Sequence, residues 1–204
     1  MGVKTYFGQV RILWKGGNGM SRSISLSKTQ QYLDWLKTKL FLDSNAESAK
    51  KRVVKRGEVY KCNLGIGIGS EESKERPCVV LQRDKANLES PNTIVAPITH
   101  TSSTLPVVIP ISPKYNNSGD VVLEGNVLLG NIACVSKARL GDYVAKLEPS
   151  EMRAVDEAIA ISLDIKGHYD KLNNILNDKL VYIDKLKERI KDLESLVPQG
   201  KKPN

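Results

Sequence analysis

The sequence predicts a mainly β domain with appended helices: a small, strongly curved antiparallel barrel, a helical arm before it and one long helix after it. Three observations carry this α+β reading. Three short runs rich in β-branched residues, 57–64, 77–83 and 93–99, follow one another between Gly, Pro, Asn and Ser punctuation. A helical pattern opens at Pro149, with Met152, Val155 and Ile159 on one face. Beyond it, apolar residues recur at alternating spacings of three and four from Tyr169 to Val197. Short strands closed by a helix must curl to enclose a core.

Taken in order, residues 1–52 form an N-terminal extension. Its first stretch, MGVKTYFGQVRILWKGGNG, is broken by Gln9 and Arg11 and lacks a small-residue cleavage site, so it does not read as a signal peptide. Lys15-Gly16-Gly17 can be encoded by a purine-rich ribosome-binding sequence ahead of Met20. The expectation is therefore that 1–19 is leader and translation begins at Met20. From 27 to 42 the pattern is helical: Ser27 with Gln30 reads as a capping box, and Leu33, Leu36 and Leu40 form a stripe beside Tyr32 and Trp35. That stripe would pack on the barrel or a second subunit, or serve as an arm toward a partner.

The barrel is expected over 53–165. After the first strand comes a loop of Gly65, Gly67 and Gly69 and then glutamates. No helix follows to offer its N-terminus to a phosphate, so a mobile lid is the better reading than a phosphate cradle. Further strands are expected at 107–111 and 121–123 around the polar turn SPKYNNSG, and an apolar run spans 127–135. Residues 166–197 predict a coiled-coil helix that self-associates or folds back, with Lys179 as its polar interruption. Residues 198–204 predict a frayed tail.

Charge is unevenly placed. Up to Arg56 there are twelve Lys/Arg and three Asp/Glu, a net of +9, whereas the remainder carries nineteen against twenty, a net of −1. Long-range attraction to a polyanion would come from the extension, unless Lys50, Lys51, Arg52, Lys55 and Arg56 are only a solvated linker. Cys62, Cys78 and Cys134 are odd in number, widely spaced and without a CxxC, so neither a zinc site nor a disulfide framework is expected, and no cofactor. All three fall in apolar strand-like runs, as buried reduced thiols of a cytoplasmic protein would. No apolar run reaches the roughly 18 residues of a membrane span.

The ordered combination of RGEVY at 56–60, GSEESKERPCVVLQRD at 69–84, TIVAPIT at 93–99 and the helix EMRAVDEAIAISL at 151–163 resembles the MazF/PemK family of toxin endoribonucleases of bacterial toxin–antitoxin pairs. The resemblance implies an SH3-like barrel that forms a homodimer, cleaves single-stranded RNA without metal and is neutralised by a cognate antitoxin. It makes Arg76, at the mouth of a strand, and Thr99 the catalytic residues, with Glu71 orienting the guanidinium or gating the site. Ser70, Lys74, Gln82 and Asn131 would contact RNA. A second family cation is absent at Ala133, which leaves Arg76 as the main charge stabiliser.

His100 adjoins Thr99 and is tempting as an acid or base, but neighbours in a strand face opposite ways, so only a turn or bulge would admit both. The competing reading is a protein of the toxin fold that cleaves nothing and binds gyrase, nucleic acid or an antitoxin. A structural role is also open, with Arg76 paired to Glu71 or Glu75.

Overall fold

The computed structural model describes Thr5–Tyr6, Gln9–Val10 and residues 24–196. Most of the expected leader and the expected C-terminal tail lie outside the described residues. Strands β1 (Thr5–Tyr6), β2 (Gln9–Val10) and β3 (Ile24–Ser25) pair antiparallel in that order. Helix α1 (Leu26–Ser44) follows directly. Its cap is Ser25, whose hydroxyl accepts the Lys28 N–H at 3.2 Å, rather than Ser27. Ser25 is already in the sheet and holds the extended φ/ψ that a cap requires.

The stripe of α1 is turned the other way from the expectation of packing on the barrel. Leu33, Leu36 and Leu40 are exposed, and the half-buried residues are Thr29, Trp35, Thr38 and Leu42. Trp35 is the residue that α1 turns to the barrel, with its ring against Gly65. The short α2 (Ala46–Ala49) leads to the basic segment, in which Lys50, Lys51 and Lys55 are exposed while Arg52 and Arg56 are engaged by the domain. Arg52 donates to the carbonyls of Leu140 and Gly141 and lies 4.8 Å over the Tyr60 ring. Arg56 donates to the Leu81 carbonyl and to Asp156, and its N–H reaches Asp84 at 2.7 Å.

The core sheet runs β10-β4-β5-β6-β8-β7, all antiparallel, from β4 (Glu58–Asn63), β5 (Glu75–Val80), β6 (Asn92–Thr99), β7 (Val108–Tyr115), β8 (Val121–Leu128) and β10 (Leu140–Lys146). A short β9 (Ala133–Ser136) pairs with the start of β6, so β6 borders β9 first and β8 afterwards. The sheet is thus a curled half-barrel around Val59, Val79, Ala96, Ile98, Val127 and Leu129. Helix α3 (Asp84–Glu89) was not expected from the sequence; the Arg56 N–H on Asp84 ties its first turn to the barrel.

The polar stretch at 112–115 is strand, not turn. The register with β8 slips between Ile111 and Lys114, across Pro113, which has no N–H to give the ladder. The turn proper is held by Asn116 Oδ1, which accepts the N–H groups of Ser118 and Asp120 at 2.9 and 2.8 Å. The apolar run 127–135 divides into the end of β8, a turn at 129–132 and β9. Cys62 and Cys78 are buried, but Cys134 is exposed because alternation in β9 points Val135 inward instead.

Helix α4 (Pro149–Ser162) covers the half-barrel with buried Val155 and Ala158. Glu151, at its third position, accepts the N–H groups of Glu148 at 2.7 Å and Ser112 at 2.9 Å and pairs with Lys114 Nζ at 2.7 Å. Helix α5 (Lys166–Leu196) then runs 31 residues with every residue from 167 to 196 exposed. Among the described residues no helix is long and apolar enough to cross a membrane.

Candidate active site

The loop between β4 and β5 and the turn before β9 form the two walls of an open cleft of about 430 Å³. Ile66, Gly67, Glu71 and Glu72 line it from the loop; Asn131, Ala133, Cys134 and Arg139 line it from the other side. The loop is gathered at its neck by two backbone hydrogen bonds, Leu64 N–H to the Lys74 carbonyl at 2.9 Å and Lys74 N–H to the Gly65 carbonyl at 2.6 Å. Lys74 makes that closure at φ +66, and leads within two residues to Arg76.

Arg76 is the register partner of Cys62 in β4. Its side chain is 42% exposed, yet Nε is buried without a hydrogen-bond partner. Glu72 Oε2 stands 3.5 Å from that nitrogen, close enough for an ion pair but not aligned as a hydrogen bond. The carboxylate beside Arg76 is therefore Glu72, and not Glu71 or Glu75. Glu71 instead accepts the Ile68 N–H at 2.8 Å and braces the loop from within. Consecutive loop residues diverge, and nothing in the run of glutamates marks which one turns inward. Beneath Arg76 the buried thiols of Cys62 and Cys78 interact. That hydrogen bond lowers the pKa of Cys62 and, together with burial, pushes Cys78 far above the ordinary thiol range.

Thr99 is half-buried at the end of β6. Continuing the β5–β6 register two steps beyond its last pair, Cys78 with Pro97, sets Arg76 opposite Thr99. At that point β6 leaves β5 for β8, pairing Thr99 with Asn126. The approach to β8 is so close that a Cβ at Gly125, φ +121, would stand 2.4 Å from the Thr99 carbonyl. The Thr99 hydroxyl contacts only the Thr101 hydroxyl and N–H, each at 3.4 Å, and is open to a stronger acceptor or donor. Neither Arg76, Thr99 nor His100 lines the cleft itself: Arg76 adjoins it through Glu72, and His100 is 79% exposed with its Nδ1 3.8 Å from Glu124.

Ser70 and Lys74 are exposed on the loop, and Asn131 lines the cleft directly. Gln82 is not brought to it: the residue lies beyond the opposite end of β5, and its amide donates to the Asn92 carbonyl at 3.2 Å. Two cleft residues escape sequence reasoning. Glu72 was hidden by its neighbour, and Arg139 supplies a cleft cation although position 133 is alanine. Its place in the chain, six residues on and in a 3₁₀ turn (Lys137–Arg139), gives no sequence signal.

The family model described as PemK-like, MazF-like toxin of type II toxin-antitoxin system matches residues 55–163, more than half of the chain. The chain belongs to this toxin family. Endoribonuclease EndoA of Bacillus subtilis (strain 168) is 40% identical over 114 residues, covering 54% of this chain and 95% of that protein.

Among solved structures, an endoribonuclease from Mycobacterial species is 25% identical over 55% of this chain and 93% of its own, with TM-score 0.46. An endoribonuclease in complex with its cognate antitoxin, also Mycobacterial, is 27% identical over 54% and 95%, TM-score 0.46. MazF from Deinococcus radiodurans is 18% identical over 55% and 98%, TM-score 0.49. Helices α1 and α5 lie outside the PemK/MazF match.

Proposed function

We propose that this toxin is a metal-independent, sequence-specific endoribonuclease that cleaves single-stranded RNA, messenger RNA included, in the cytoplasm, and is neutralised by a cognate antitoxin. The observation that carries the reading is Arg76: a guanidinium whose buried Nε faces Glu72 while the side chain stays 42% exposed, beside a cleft. That arrangement leaves its terminal nitrogens to meet a ligand. A phosphate is the ligand that a planar fork of donors suits best.

In this reaction the RNA brings its own nucleophile, the 2′-hydroxyl, which attacks the adjacent phosphorus and expels the 5′-oxygen of the next nucleotide. The protein has to align that attack and hold the negative charge that accumulates on phosphorus. Arg76 stabilises the charge, kept in orientation by Glu72 while its terminal nitrogens serve the phosphate. The Thr99 hydroxyl hydrogen-bonds a second phosphate oxygen and favours the in-line geometry. The Asn131 amide and Arg139 meet the strand along the other wall. Products are a 2′,3′-cyclic phosphate and a 5′-hydroxyl, and a single 2′-deoxy substitution at the scissile nucleotide stops the reaction.

Two copies act together, and α5 contributes to the pairing. Tyr169, Leu172, Leu176, Ile183, Leu186, Ile190 and Leu193 occupy heptad a and d positions and are all exposed in one chain. In a parallel pair Arg189, at g, would face Glu194 of the partner subunit, at e.

The test is incubation of a mixed single-stranded RNA pool in EDTA with mapping of fragment ends. Fragments ending in 2′,3′-cyclic phosphate at a recurrent motif are expected, and Arg76→Ala should lose roughly 10²–10³ in rate while remaining folded. RNA bound but left intact would favour the non-cleaving module instead.

A further inference from the structure

We propose that Trp35 is a positioning residue for the loop wall of the RNA cleft, so that α1, outside the matched family domain, sets how that wall stands. The functional half of this inference rests on the RNA-cleaving reading; the structural half does not. The Trp35 indole lies directly on Gly65, where a Cβ would meet Cζ2 at 2.4 Å and Cε2 at 2.6 Å. Gly65 has φ +87, so the position excludes a side chain twice over, by conformation and by the ring. This contact falls at the loop neck, on the residue whose carbonyl accepts the Lys74 N–H.

A second residue joins the contact to the cleft. The Arg139 guanidinium stacks 5.3 Å over the Trp35 ring and donates through Nη1 to the carbonyls of Asn63 and Leu64 at 3.1 and 3.2 Å. Arg139 also lines the cleft opposite Glu71 and Glu72. Trp35 thus backs both the first residue of the loop and the cation that fastens the strand leading into it. A flat aromatic face over a guanidinium restricts its rotation and strengthens its remaining hydrogen bonds by excluding water. The glycines that give the loop its freedom begin at the clamped residue, so the clamp sets where the hinge lies. Removing the ring frees the neck, lets the Glu71–Glu72 wall sample more orientations, and weakens the hold on RNA without touching the reacting groups.

The full-length protein and its Trp35→Ala and Trp35→Phe variants provide the test. Amide hydrogen exchange at Leu64 and Lys74, the two neck donors, should accelerate about tenfold in Trp35→Ala while core amides of β6 keep their rates. Cleavage of a mapped RNA should show KM raised about tenfold with kcat little changed, and Trp35→Phe should recover most of both. Neck amides exchanging at the parental rate overturn the proposal. So does acceleration of β6 amides by the same factor, which would mean general destabilisation. If Trp35→Ala does not fold, Trp35→Leu, which keeps apolar cover but no flat face, carries the same comparison. A protein that cuts no RNA defeats the cleavage reading, while the exchange measurement still decides whether Trp35 holds the neck.

Discussion

Helices α4 and α5 are consecutive and both carry apolar residues at helical spacing, yet only α4 has something to bury them against. In α4 the stripe of Met152, Val155 and Ile159 meets the half-barrel, and the helix start is fixed by Glu151 bridging to β7. In α5 the residues Leu172, Leu176, Leu186 and Leu193 are each half exposed or more, apart from Leu186 at 44%. The difference teaches that periodicity specifies an amphipathic helix but not its partner. A stripe can be completed within the chain or by another chain, and the two cases obey different laws: the first contributes to unimolecular folding, the second depends on concentration.

The comparison breaks first at Glu151. Glu151→Gln should cost on the order of 3 kcal/mol in urea unfolding, because Lys114 would be left nearly buried without its counter-charge. Burial by itself would raise the Glu151 carboxyl; the Lys114 ammonium and the N–H groups of Glu148 and Ser112 outweigh it and hold the carboxyl below its ordinary value. A lowered folded value means stability that is complete above the unfolded carboxyl's pKa of about 4.3 and lost as pH falls through the folded one. The gap between parent and variant should therefore narrow in acid, and a gap that widens below pH 4 would contradict the assignment.

Val155→Ala comes next. It empties part of a fully buried site and should lower barrel stability by about 2 kcal/mol, independent of protein concentration. The smallest effect on unfolding belongs to α5. Leu186→Ala should change barrel stability by no more than about 0.5 kcal/mol in dilute solution. Its effect should appear in sedimentation instead, as weakened self-association. A Leu186→Ala protein that loses as much barrel stability as Val155→Ala would show that α5 folds back on its own domain.

The same contrast applies to the candidate site. Arg76 and Thr99 can be picked from the sequence because they stand at strand ends in a recognisable order, and extending the β5–β6 register two steps past Cys78 and Pro97 brings the two positions opposite each other. Glu72 and Arg139 were not. Glu71 and Glu72 are chemically identical and adjacent, and only the path of the loop decides which carboxylate turns to the guanidinium. Gln82 looked equally available in the run that follows Arg76, but one strand length separates the two.

By itself the sequence determined what depends on near neighbours. Runs of β-branched residues between turn-forming residues set the strands of the half-barrel, Pro149 began α4, and the heptad spacing made α5 one uninterrupted helix. Tertiary structure alone decided what joins residues far apart in the chain. It brought Arg56 to Asp156, laid Trp35 on Gly65 beneath Arg139, and turned the leucines of α1 outward. The physical reason is that propensity and periodicity act over a few residues. The partner of a side chain is chosen by the curl of the sheet, which no stretch of sequence contains.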